Sequence, residues 1–119
     1  MNQEAAPSQQ LREVAPLQAN EAVAAGASLL DVREPEEFEA GHAPSAKCIP
    51  LGELEGRVAE LTRDATIVCV CRSGGRSAAA AMALSSGGFD AVNLAGGMYA
   101  WAAEGLAVVT SSGAPGSVL

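Results

Sequence analysis

Apolar residues in this chain fall into short dense runs, separated by stretches in which they recur every three or four positions. Ser28-Leu29-Leu30-Asp31-Val32 and Thr66-Ile67-Val68-Cys69-Val70 are runs of the first kind, and their brevity and β-branched content suit strands buried on both faces of a parallel sheet. Ala46-Lys47-Cys48-Ile49, closed by Pro50, and Phe89 to Leu94, with Val92 and Leu94 inward, are further strand candidates. The stretches between them read as helices. Leu17, Ala19, Ala22, Val23 and Ala25 predict one, with Pro16 at its start and Gly26 at its end. Pro35, Glu36 and Glu37 predict the first turn of a second, which Gly41 can stop. Leu54, Val58 and Leu61 keep helical spacing, and Ser77 to Leu84 is almost all alanine before Gly87-Gly88. Met98 to Trp101 gives a last short helix, ended by Gly105, and no internal repeat is visible. Strands alternating with helices predict an α/β domain with a mostly parallel sheet and right-handed crossovers.

At 119 residues, 49% of them hydrophobic and 18% charged, the chain is expected to form one folded domain. The polar start, residues 1–10, is expected to be flexible, residues 11–109 to form the domain, and the Ser, Gly, Pro and Ala of residues 110–119 to form a flexible tail. No run approaches the length of a bilayer span, and the start has neither a basic end nor an apolar stretch. A net charge of −7 repels polyanions, which argues against nucleic acid and acidic membrane surfaces as partners. Three irregularly placed cysteines do not make a disulfide framework, so a reducing cytoplasm is the expected location.

The charge is unevenly spread, and that directs attention to one loop. No acidic residue lies between Asp64 and Asp90, whereas Arg72 and Arg76 both do. They belong to Cys71-Arg72-Ser73-Gly74-Gly75-Arg76-Ser77, placed where a predicted strand ends and a predicted helix begins. That edge of an open α/β sheet is where ligands bind, and a helix N-terminus offers unpaired N–H groups to an anion. Gly74 and Gly75 allow successive amides to curl inward as a nest, and amides and arginine together can lower a thiol's pKa. Arg76 can either hold an anionic substrate or fasten the loop to the scaffold. An inert core cysteine is the plainer reading of Cys71, but glycines and arginines are poor core neighbours. A papain-like hydrolase needs a histidine base, and the chain owns only His42. Sulfur transfer needs none, because a thiolate can attack a sulfane sulfur and expel a stable anion such as sulfite.

These residues make the chain similar to the single-domain rhodaneses. Leu30-Asp31-Val32-Arg33-Glu34-Pro35-Glu36-Glu37-Phe38, Gly41-His42, Ile49-Pro50, the Cys71 loop, and Leu94-Ala95-Gly96-Gly97 with Trp101 resemble the family's successive signatures in order, over about Pro16 to Leu106. The resemblance implies a three-layer domain, with a parallel sheet of about five strands between helices and no cofactor. It implies a persulfide on Cys71 cradled by loop amides from Arg72 to Arg76, with Ser73, Gly74 and Gly75 in the ring; beside it, Ser77, Asp31 and Arg33 are read from their positions as supporting residues. Ala43-Pro44-Ser45-Ala46 replaces the family's more usual Ile-Pro-Gly-Ala, and Cys48 stands where a polar residue is common. Related phosphatases and arsenate reductases place five residues between cysteine and arginine, where this chain has four. The tighter ring suits a single sulfur. Cationic loops in the family go with thiosulfate, so the expected donor is thiosulfate or a similar anion, and the expected acceptor is cyanide in an assay or a thiol in the cell, including a sulfur-relay protein. The rival readings are a non-catalytic binding module of the same fold and a small cysteine-dependent phosphatase or arsenate reductase.

The remaining polar residues have structural readings. His42 follows a helix end, where histidine caps or packs, and Asp31 with Arg33 is read first as a salt bridge shaping the strand edge. Cys69, Cys71, Cys48 and His42 lack the paired spacing of structural zinc sites. Cys69 and Cys71 share one face of an extended strand, but a disulfide so short would be strained, so Cys69 and Cys48 are assigned to packing. Met98, Tyr99 and Trp101 are expected to seal the last helix onto the core.

Overall fold

The computed structural model describes residues 10–119, so the start expected to be flexible lies, apart from Gln10, outside the described residues. Strands β1 (Glu13–Val14), β2 (Ser28–Asp31), β3 (Lys47–Cys48), β4 (Ile67–Val70) and β5 (Ala91–Leu94) form one sheet. Its order is β1-β5-β4-β2-β3, and every pairing is parallel. Helices α1 (Pro16–Ala24), α2 (Pro35–Ala40) and α3 (Gly75–Ser86) lie between successive strands, and α4 (Gly97–Ala103) follows β5.

Side-chain alternation along the strands divides the core into two layers. On one face Leu30, Ile67, Cys69 and Ala91 pack with Ala80, Ala81 and Leu84 of α3. On the other, Leu29, Val68, Val70, Val92 and Leu94 pack with Ala19 of α1 and with Met98 and Trp101 of α4. All four residues of β4 and of β5 are buried, which is why these strands read as continuous apolar runs rather than as alternating ones.

The structure departs from the sequence pattern in four places. Strand β1 is only two residues long, too short for a periodic signal, and it exists because it pairs with Asn93 and Leu94 of β5. The helical spacing at Leu54, Val58 and Leu61 belongs to two 3₁₀ turns, residues 51–53 and 55–60, where Gly52 and Gly56 weaken an α-helix. Met98 and Trp101 do seal α4 onto the core, but Tyr99 is 51% exposed.

The expected loose tail is instead docked. His42 and Val109 exchange backbone hydrogen bonds, Thr110 N–H donates to the Ala114 carbonyl, and Ser117 N–H donates to the Ala40 carbonyl. A methyl group on Gly41 would meet Ser117 backbone atoms at 2.5 Å, and one on Gly116 would meet the Gly41 Cα at 2.7 Å. Two glycines therefore let the strands of backbone touch, and Val118 packs against the core beyond them.

Candidate active site

Two strand ends meet at the Cys71 loop. Asp31, the last residue of β2, lies opposite Val70, the last of β4, and Cys71 follows immediately. The loop turns into α3 through Gly74, whose φ of 118° lies in the left-handed region that glycine enters freely. This turn aims amides at the sulfur. Gly74 N–H donates to Cys71 Sγ at 3.2 Å, Ser77 N–H at 3.4 Å and the Ser77 hydroxyl at 3.2 Å.

The consequence is electrostatic. Burial pushes the Cys71 thiol up, but the Ser77 hydroxyl and the amides of Ser77, Gly74 and Ser73 outweigh it and hold the thiol below its ordinary value. The other two cysteines move the opposite way. Burial and the charge of Asp31 push Cys48 up to about 11, and burial pushes Cys69 up to about 12. Only Cys71 among them is prepared to be a thiolate, and its surface is 1% exposed.

Supporting charges are arranged in pairs. Asp31 and Arg33 are both fully buried and joined by several hydrogen bonds, the shortest 2.7 Å from Arg33 Nη2 to Asp31 Oδ2. Arg33 also donates to the Gly41 carbonyl at 2.8 Å. The two form a salt bridge at the strand edge. Arg76 donates to both oxygens of Glu37 at 2.8 and 3.0 Å. That hydrogen-bonded pair holds the Glu37 carboxyl down at about 2. Of the two roles open to Arg76 in the sequence, the one occupied here is fastening the loop to α2. Arg72 and Ser73 stand exposed at the loop's outer side, and Gly75 opens α3.

The second wall of the site comes from α4. Met98 N–H donates to the Cys71 carbonyl at 2.8 Å and Tyr99 N–H to the Arg72 carbonyl at 3.1 Å. Both contacts require Gly97, whose φ is +62° and on which a methyl group would lie 2.5 Å from the Cys71 and Arg72 oxygens. Asn93 of β5 donates to the Gly74 carbonyl at 3.2 Å and to Glu13 of β1 at 2.9 Å. His42 is remote in role. Its Nδ1 donates to the Phe38 carbonyl at 2.6 Å, and its ring stacks on Phe38 at 3.8 Å.

The resemblance in the sequence implies loop amides from Arg72 to Arg76 around Cys71, and the backbone donors that reach the sulfur here are Gly74 and Ser77. The family description "Rhodanese-like domain" matches residues 13–104. The chain belongs to the rhodanese-like family. A sulfurtransferase of Allochromatium vinosum is 40% identical over 86 residues, which cover 71% of this chain and 80% of that protein. A putative sulfur carrier protein of Bacillus subtilis, YrkF, is 45% identical over 75 residues, 62% of this chain but only 40% of that protein, so this chain matches less than half of that longer relative. Among solved structures, a rhodanese-related protein from Thermoplasma volcanium superposes with a TM-score of 0.78 at 37% identity, covering 82% of this chain and 97% of that one.

Within this rhodanese-like domain the sequence missed four contributors to the site. In the sequence Glu37 reads as a helix-start glutamate and Gly97 as part of a turn, and no local pattern marks Asn93 or Glu13. Gly97 had a signal in the Gly96-Gly97 pair. Glu13 and Asn93 had none, because their contact spans 80 residues.

Proposed function

We propose that this chain is a sulfurtransferase that carries sulfane sulfur as a persulfide on Cys71. The carrying observation is the ring of donors on Cys71 Sγ, from Gly74, Ser77 and the Ser77 hydroxyl. With thiosulfate as donor, the Cys71 thiolate attacks the outer sulfur, a new S–S bond forms, and the bond to the sulfonate breaks with its electron pair leaving as sulfite. No proton moves, so no base is needed, and His42 is already committed to the Phe38 carbonyl. The persulfide anion then occupies the amide ring, where N–H donors stabilise its charge. Cyanide or a thiolate attacks the terminal sulfur, and the electron pair returns to Cys71 as thiolate.

Relatives support a thiol of another protein as the acceptor, since one is named a sulfur carrier protein and another, MoeZ of Mycobacterium tuberculosis, a probable adenylyltransferase/sulfurtransferase. The phosphatase reading is disfavoured by Arg76, whose guanidinium fork is filled by Glu37 rather than turned to an oxyanion. Incubation with thiosulfate followed by intact-mass measurement decides the matter. A gain of one sulfur that Cys71→Ser abolishes is the expected result. An unchanged mass with every sulfane donor tried overturns the proposal and leaves the non-catalytic module.

A further inference from the structure

The chain has seven cationic side chains, and five of them are paired with carboxylates: Arg12, Arg33, Lys47, Arg57 and Arg76. Arg63 donates to the Gly87 carbonyl and lies over Phe89, beyond the far end of α3 from Cys71. Among the described residues Arg72 alone has no carboxylate partner and no hydrogen bond from its guanidinium, and it is the residue next to the thiol. Its one side-chain neighbour of note is Tyr99, over whose ring the guanidinium carbon lies at 5.9 Å.

We infer that Tyr99 is a positioning residue that holds Arg72 at the mouth of the site as the receptor for the anionic part of the sulfur donor. This rests on the sulfurtransferase reading above and adds the residue that sets its preference for an anion. Backbone geometry fixes the pair, since Tyr99 N–H donates to the Arg72 carbonyl, so the first turn of α4 carries the ring to the place where the arginine side chain begins. A ring face restrains a guanidinium through its π surface and leaves the N–H edge free. A carboxylate would restrain it too, but by filling the donor fork, as Glu37 does for Arg76. The planar fork of Arg72 is thus available to two oxygens of a sulfonate. The same arrangement accounts for a tyrosine left 51% exposed in a helix whose other large side chains, Met98 and Trp101, are buried.

The test is the affinity of the Cys71→Ser protein for thiosulfate, which then binds without turnover, followed by NMR titration. Tyr99→Leu is expected to weaken binding about two- to fivefold, while Tyr99→Phe, which keeps the ring, stays within about twofold. In an Arg72→Gln background Tyr99→Leu should change nothing further. An unchanged affinity in Tyr99→Leu, an equal loss with and without Arg72, or no thiosulfate binding to the Cys71→Ser protein would each overturn the inference. Persulfide formation on the unmodified chain is a separate readout. Arg72-dependent and Tyr99-dependent binding without a mass gain would keep the anion arm and sink the transfer reaction.

Discussion

Ser77 is the side chain on which the ionisation of Cys71 turns. It is fully buried, and it reaches the sulfur with both its hydroxyl and its amide. Ser77→Ala removes one donor to a charged acceptor without leaving a large void. The pH midpoint for alkylation of Cys71 by iodoacetamide should therefore rise, and persulfide formation near neutral pH should slow by roughly tenfold. An unmoved midpoint would mean that the amides alone hold the thiolate. Ser45 is a second residue that departs from its surroundings. It is the third residue of a turn closed by Ala46 N–H on the Ala43 carbonyl, follows Pro44, and has a φ of 68°. Turns of that kind favour glycine there, because a Cβ in the left-handed region is costly. Ser45→Gly should raise stability by about 0.5–1 kcal/mol, seen as a higher urea midpoint at constant slope. This also gives a physical meaning to the serine that Ala43-Pro44-Ser45-Ala46 carries where the related motif has glycine.

At the scale of elements, the site is a joint between the β4–α3 loop and the start of α4. The loop supplies the donors, and α4 fixes the loop by binding the Cys71 and Arg72 carbonyls. Gly97→Ala would place a methyl group 2.5 Å from both oxygens. It should cost at least about 2 kcal/mol and impair sulfur loading. Gly105→Ala is the control, since Gly105 is also left-handed, with a φ of +79°, but has nothing within 4 Å. It should cost only the conformational share, about 1 kcal/mol, and leave loading intact. Equal losses of stability and loading in the two variants would show that α4 is not part of the joint. The strand β4, the loop and α3 were legible because each is local: an apolar run, a glycine pair and an alanine-rich helix. The 3₁₀ turns were not, because i, i+3 and i+4 spacing alone cannot separate them from an α-helix.

Across the whole molecule, charge pairing ties distant segments to the site. Glu37 on α2 and Arg76 on α3 are 39 residues apart in sequence. The folded Glu37 carboxyl is depressed to about 2 from an ordinary 4.5, so the stability it contributes is complete above 4.5 and is lost as pH falls toward about 2. Glu60, held at about 2 by Arg57 and Lys47, titrates in the same range, and Asp90 is also held low by Arg12. Comparison with Glu37→Gln isolates the pair. Acid titration of unfolding free energy should fall less steeply in the variant between 4.5 and 2. Parallel curves would show that the pair contributes nothing to folding. The same pairing corrects the picture of a cationic loop. An interval free of acidic residues in sequence receives Glu37 from another segment in space, and one arginine of the two is spent.

The sequence by itself determined the alternation of strand and helix and the position of the Cys71 loop between a strand and a helix. These depend on periodicity and on residues adjacent in the chain, where backbone geometry follows from local chemistry. Tertiary structure alone decided which arginine is committed to the scaffold, that Asn93 joins Glu13 to the loop, that Tyr99 faces Arg72, and that the tail is docked. Those are contacts across tens of residues, and a pattern of short period carries no record of them.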